Sequence, residues 1–155
     1  MAHLIKSHVL KNLKVVTATV TDGETLGNQE ELLVGSSIDY TPSEGFSNVV
    51  YEYTTSMTWK DKSNRLILRS KINGNWYSGY WHCVGTTPNG YDIKYSTLIN
   101  ARFVIPASVW GSGEKTLGIY AYSIDNAYQS ILHMTNQAGG STTIPFNPFS
   151  IVYSI

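Results

Sequence analysis

Four histidines, one cysteine and eleven carboxylates are all that the chain offers for proton transfer, metal binding or covalent catalysis. Their spacing fits none of these tasks. His3, His8, His82 and His133 are scattered, with no His-Glu-x-x-His pair and no spaced Cys/His ligand set. The single Cys83 can form neither an intrachain disulfide nor a Cys-rich zinc site. His82 and Cys83 are adjacent in a predicted strand, where neighbours point to opposite faces. Glycoside hydrolysis requires two carboxylates across a cleft. Glu52 falls on the polar face of its strand and the other acids mainly in predicted turns, so only a long-range pair of acids stays open. There is no Gly-x-Ser-x-Gly elbow, and Gly111-Ser-Gly113-Glu114-Lys115 lacks the spacing of a phosphate loop. The expectation is a protein that is not an enzyme, with no catalytic residues, no metal and no cofactor.

Binding chemistry is better represented. The run Trp76-Tyr77-Ser78-Gly79-Tyr80-Trp81 is the densest aromatic cluster, and it follows Arg65, Arg69 and Lys71. If these residues form a hairpin, Tyr77 and Trp81 face the core. Trp76 and Tyr80 then lie beside Arg65, Arg69 and Lys71 on the other side. Such a patch suits cation–π packing within the sheet or under a neighbouring subunit, and equally the stacking of a sugar ring on an exposed aromatic face.

The elements that must position these residues are strands. In Val49 to Lys60 the odd positions Val49, Tyr51, Tyr53, Thr55, Met57 and Trp59 oppose Val50, Glu52, Thr54, Ser56, Thr58 and Lys60, a period of two that predicts a half-buried strand. Asn73-Gly74 between Arg65–Ile72 and Asn75–Val84 is the signature of a two-residue hairpin turn. Its register pairs Ile72 with Asn75, Ser70 with Tyr77, Leu68 with Gly79 and Leu66 with Trp81 on the core side. Lys71 with Trp76, Arg69 with Ser78, Ile67 with Tyr80 and Arg65 with His82 occupy the other. Further strands are expected at Leu13–Thr21, Ser36–Tyr40, Ile99–Ile105, Leu117–Ala121, Tyr128–Thr135 and Phe149–Ile155. Eight or nine strands joined by short turns make an antiparallel sandwich or barrel. Ile5, Val9 and Leu13 recur at helical spacing, but a helix this short is marginal alone in water. An arm that orders only on contact is the other reading.

At 155 residues the chain suits one domain with a substantial core, read as an arm over 1–14 and a β-domain over 15–155. Only 14% of residues are charged, the formal net charge is zero, and Ser, Thr and Asn fill 43 positions. That neutrality argues against nucleic-acid binding and attraction to anionic membranes. No apolar run approaches the ~20 residues of a membrane span, and the first residues lack a signal-peptide core. A soluble chain, not exported by the general route, is expected. Charge is nevertheless segregated: residues 1–14 sum to +3, 15–59 to −7 and 60–71 to +4. Either these segments neighbour one another within one fold, or they form complementary patches between subunits, whose assembly salt would then weaken.

The run from Gly35 to Tyr53, with its Ile38-Asp-Tyr-Thr-Pro-Ser-Glu-Gly-Phe-Ser-Asn-Val-Val-Tyr-Glu52 core, resembles small virion structural proteins of tailed bacteriophages, notably marine and cyanobacterial ones. Val109-Trp-Gly111, Thr116 to Tyr122, Leu132-His-Met134 and Ile151-Val-Tyr153 are similar to them as well, so the resemblance covers residues 35 to 155. It implies a jelly-roll-like β-sandwich, commonly a homotrimer, at the particle surface as a capsid decoration protein or part of a tail fibre. The partners it implies are further copies of the chain and other capsid or tail proteins, and the location is a virion assembled in host cytoplasm. Leu4, Ile5, Val9 and Leu13 would anchor the arm on a neighbour. The alternative is a carbohydrate-binding, lectin-like module that contacts cell-surface glycan through Arg65, Arg69, Trp76 and Tyr80.

Overall fold

The computed structural model describes residues 11–21, 23–26, 28–59, 64–77, 81–85, 95–123, 130–136 and 143–155. Its elements are β1 (Lys11–Thr17), β2 (Glu24–Leu26), β3 (Glu31–Leu32), β4 (Ile38–Tyr40), β5 (Asn48–Trp59), β6 (Asn64–Ile72), β7 (Asn75–Trp76), β8 (Trp81–Gly85), β9 (Tyr95–Pro106), the helical turn α1 (Ala107–Trp110), β10 (Lys115–Ser123), β11 (Ser130–Leu132), β12 (Met134–Asn136), β13 (Thr143–Pro145) and β14 (Phe149–Ser154).

Several of these are lengths of one strand. β14 and β11 share an edge of β5, with Phe149 opposite Thr54 and Leu132 opposite Met57. β1 lies along β14 and β2 along β11. In the other sheet β3 and β4 follow one edge of β10, while β7 and β8 follow one edge of β6. Counted this way, the described residues form eight strands in two sheets, β1/β2–β14/β11–β5–β9 and β3/β4–β10–β6–β7/β8, all antiparallel. In chain order that is 1-8-3-6 facing 2-7-4-5, the strand order of a jelly roll. The fold is an antiparallel jelly-roll β-sandwich, as the alternating patterns and the resemblance imply.

The core forms where the expected faces meet. Val49, Tyr51, Tyr53 and Met57 of β5 are fully buried, together with Ile99, Ala101 and Ile105 of β9, Leu66 and Leu68 of β6, and Leu117, Ile119 and Ala121 of β10. Ala101 lies opposite Tyr53 and Ala121 opposite Leu68, so a small side chain sits beside each large one. Trp110 closes one end, edge-on to Tyr40 with ring centroids 6.0 Å apart, and its indole N–H donates to the Gly113 carbonyl at 3.2 Å.

Three expectations need correction. The hairpin turn at Asn73-Gly74 and the pairs Lys71–Trp76 and Ile72–Asn75 form as predicted, but the register then slips by two, pairing Leu68 with Trp81, Ile67 with His82, Leu66 with Cys83 and Arg65 with Val84. The slip preserves which residues share a face; positions 78–80, between the two sets of pairs, lie outside the described residues. The strand expected over Tyr128–Thr135 breaks at His133 (φ 63°), where the chain leaves the sheet for the β12–β13 hairpin and returns as β14. Finally, Leu13–Thr21 starts two residues earlier and stops at Thr17, so β1 takes in Lys11 to Lys14 of the expected arm.

Candidate functional site

Two outward surfaces carry the residues available for recognition. The first is the outer face of the β1–β14–β5–β9 sheet. Strand parity places the core on alternate residues, so the intervening ones point away from it. They mix apolar and polar side chains. Register aligns Val15, Ile151, Glu52 and Arg102 in one row, Thr17, Phe149, Thr54 and Asn100 in the next, and Tyr153, Val50 and Val104 in a third. Of the nine large hydrophobic residues exposed among the described residues, Leu13, Val15, Leu98 and Val104 lie here. Leu98 is 63% exposed. The polar feature at the centre is an ion pair, Arg102 Nε to Glu52 Oε1 at 3.1 Å, with the Tyr153 hydroxyl donating to the same carboxylate at 3.3 Å.

The outer edge of that sheet is β9. Among the described residues no strand pairs with the second edge of the twelve-residue β9. Tyr77, from the opposite sheet, donates its hydroxyl to the Val104 carbonyl at 2.5 Å, which shows that this carbonyl points off the edge. Burial raises the Tyr77 pKa, so the phenol stays protonated and keeps donating. A long strand edge is a template for further pairing where nothing covers it.

The second surface is the outer face of the β10–β6–β7 hairpin region. Lys71 of β6 has its ammonium 4.0 Å from the ring centroids of both Trp76 and Tyr120. Arg69 stacks on Trp76 at 3.9 Å and pairs with Glu30 at 3.1 Å. Trp76 and Tyr120 meet edge-on at 5.7 Å. Beside them Gly118 faces Lys71 across the β10–β6 ladder, and a Cβ there would come within 2.9 Å of Leu32 Cδ1. Leu32 packs down onto the glycine, and a recess of about 170 Å³ beside it is bounded by Leu32, Ser37, Lys71, Thr116, Gly118 and Tyr120. A second recess of about 250 Å³, lined by Asn73, Asn75, Trp76, Val109 and Lys115 among others, flanks the hairpin tip.

The structure thus brings together Arg69 and Trp76, two of the four residues expected to contact a partner or glycan. Of the readings open for the patch, cation–π packing within the sheet is present: the Trp76 ring, in a residue 39% exposed, carries two cations of its own sheet. Arg65 lies at a β6 register position opposite Val84, with its side chain outside the described residues, and Tyr80 falls outside them altogether. Among the anchoring residues, Leu13 is exposed in β1, whereas Leu4, Ile5 and Val9 lie outside the described residues. Sequence reading missed Leu32, Gly118 and Tyr120. The available signal was a glycine inside a strand, which marks close approach by another group.

Of the remaining candidates for chemistry only His133 has a described side chain; His3 and His8, and the side chains of His82 and Cys83, lie outside the described residues. His133 is 1% exposed and its Nδ1 lies 2.7 Å from the Thr55 hydroxyl. Among the described residues no three His, Cys, Asp or Glu side chains gather as metal ligands, and no helix is long and apolar enough to cross a membrane.

No protein family and no curated protein matches this chain. Among solved structures, the chain is similar to Eiger TNF from S. frugiperda, at 8% identity and a TM-score of 0.42 over 92% of each chain. It is also similar to a chain of infectious bursal disease virus, Gx strain, at 14% identity and a TM-score of 0.28, covering 94% of this chain and 38% of that one. The jelly-roll assignment rests on the strand order, and neither likeness bears on what the chain does.

Proposed function

We propose that the chain is a non-enzymatic structural subunit at the surface of a bacteriophage particle, a capsid decoration protein or tail-fibre component, that assembles with copies of itself as a trimer. The observation that carries self-assembly is the outer face of the β1–β14–β5–β9 sheet. An isolated sandwich alternates apolar-in with polar-out. Here Leu13, Val15, Leu98 and Val104 are exposed on the outward side, around a Val50 that is already buried. Exposed apolar side chains gathered around a small polar centre, here the Glu52–Arg102 pair, mark a surface suited to covering by a partner. The β9 edge adjoins it, so a neighbour that covers the face also shields the edge. Placement in a phage virion rests on the resemblance of residues 35 to 155, and the jelly roll is compatible with it; fold alone does not fix function.

The experiment is light scattering on the purified full chain alongside Val15→Glu and Val104→Glu. The expected result is about three times the 17.2 kDa chain mass for the wild type, and a fall toward one chain mass for each variant. Each valine is about half exposed, so thermal stability of the dissociated variants stays close to that of a surface substitution, within about 0.5 kcal/mol. A wild-type monomer at tens of micromolar, or variants that assemble unchanged, overturns assembly through this face. Phage attachment is tested separately, by binding of the chain to purified particles lacking it.

A further inference from the structure

We propose that the recess over Gly118 binds the carboxylate-bearing ring of an acidic saccharide, with Lys71 as the carboxylate-binding residue. This does not rest on the assembly face, which lies on the opposite sheet. Three features of the recess converge on that ligand.

The first is charge. The two described arginines on these sheets are paired, Arg69 with Glu30 and Arg102 with Glu52; Lys71, like Lys11, Lys14 and Lys115, has no acidic partner among the described residues, and it is the one that lines this recess. Its ammonium is instead held between the Trp76 and Tyr120 rings. Aromatic faces attract a cation without using its N–H donors, so the group is positioned and remains able to donate to an anion. The second is shape. Gly118 lets Leu32 and the Tyr120 ring close in over the strand as an apolar wall, and the volume of about 170 Å³ is below the roughly 300 Å³ of a drug-sized pocket, which suits one small ring. The third is the lining. Leu32 and the Tyr120 ring offer apolar area for the C–H face of a sugar. Thr116 donates its hydroxyl proton to Asp39 at 2.5 Å, which leaves its oxygen to accept from a sugar hydroxyl, and Ser37 adds a second hydroxyl. An aspartate or glutamate side chain of a protein partner would satisfy Lys71 but has no hydroxyls for Thr116 and Ser37. The lining therefore favours a sugar acid. Asp39 does not cancel the site's charge alone, because Lys14 donates to its backbone carbonyl at 2.7 Å and stands beside it.

The lectin-like alternative read from the sequence placed a sugar on Trp76. The structure moves the site one strand inward, since Arg69 and Lys71 already stack on that ring.

The test is amide NMR of the full chain titrated with glucuronate, with glucose, acetate and a glutamate-rich peptide as comparisons. The expected result is saturable shifts at Lys71, Thr116 and Gly118 with glucuronate, and binding at least about tenfold weaker for each comparison ligand. Lys71→Met keeps the stem that packs between the rings and removes the charge; it should lose glucuronate binding about tenfold while the thermal midpoint holds. Should that variant fail to fold, Gly118→Ala carries the test, since its Cβ meets the flexible tip of the half-exposed Leu32 at 2.9 Å and the Tyr120 ring at an ordinary 3.5 Å, and so narrows the recess. Absence of saturable shifts, acetate binding as well as glucuronate, tighter binding of the peptide, or unchanged affinity in a folded Lys71 or Gly118 variant each overturns the proposal.

Discussion

Two tyrosines spaced by two residues show how single side chains join the sheets. Tyr51 and Tyr53 project from β5 into the core, and their hydroxyls donate to the carbonyls of Ser36 and Val34, the latter at 2.9 Å. Ser36 in turn accepts the Ile119 N–H at 3.2 Å and donates to the Leu33 carbonyl at 2.6 Å, which ties the crossover segment to β10. Ser150 of β14 holds the Gly35 carbonyl at 2.8 Å. The Gly35-to-Tyr53 run on which the phage resemblance begins is therefore a structural clasp. Burial raises the Tyr51 pKa strongly, against smaller lowering contributions from Ser150 and Ser36. In the unfolded chain the same phenol ionises near pH 10. Above that pH the folded state binds the extra proton, so stability is intact below about pH 10 and falls as pH rises beyond it. Tyr51→Phe removes this titration and leaves the Ser36 carbonyl without its donor, at a cost of about 1–3 kcal/mol. Denaturant melts at pH 7 and 11 check both effects: the variant should be less stable at pH 7 and lose less between the two. Parity in the sequence identified Tyr51 and Tyr53 as core residues. Their hydroxyl partners were illegible, because those partners are backbone carbonyls of a segment with no periodic pattern.

Glycines with positive φ show the same division between local and non-local information at the level of elements. Gly74 (φ 78°) occupies the β6–β7 turn with open space around it, and Asn-Gly announced it in the sequence. Gly35 (φ 72°) was not announced. A Cβ there would meet the Ala18 Cβ at 3.0 Å and the Pro148 carbonyl at 3.2 Å, where the chain turns between β1 and β2 and enters β14. Gly74→Ala should cost only the left-handed backbone penalty, about 1–2 kcal/mol. Gly35→Ala should cost more, since backbone must move as well, and the comparison of their urea midpoints checks the order. Hydrophobic alternation located β5, β6, β9, β10 and β14 because half-buried strands must alternate. It could not show that β11 and β14 are two lengths of one strand, nor that the register slips after Trp76. Both depend on excursions whose lengths no periodicity fixes. The recess over Gly118 was hidden for the same reason: Lys71 and Tyr120 come from strands about fifty residues apart and meet only through the β6–β10 ladder.

For the whole molecule, the question left by the sequence is where its segregated charge goes. The structure satisfies part of it within one chain. Glu30 of the acidic stretch pairs with Arg69 of the basic one, and Lys14 reaches the Asp39 carbonyl. The face proposed for assembly carries a single described ion pair, Glu52–Arg102, closed within the same subunit, among apolar neighbours. Contact between copies there is driven by removal of apolar area from water, which salt does not screen, whereas complementary surface patches weaken as the Debye length falls from about 10 Å at 0.1 M to about 3 Å at 1 M. The expected outcome is that the assembled mass measured by light scattering is the same at both ionic strengths, and that any change is toward tighter association. Dissociation in 1 M salt would instead assign the contact to the segregated charges and remove the outer face of the β1–β14–β5–β9 sheet from it. Pairing salt with the Val104→Glu variant separates the cases further. A charge introduced into an apolar contact keeps the chains apart at both ionic strengths, because its cost is desolvation, whereas the same charge opposing a like-charged patch is screened and assembly returns in high salt.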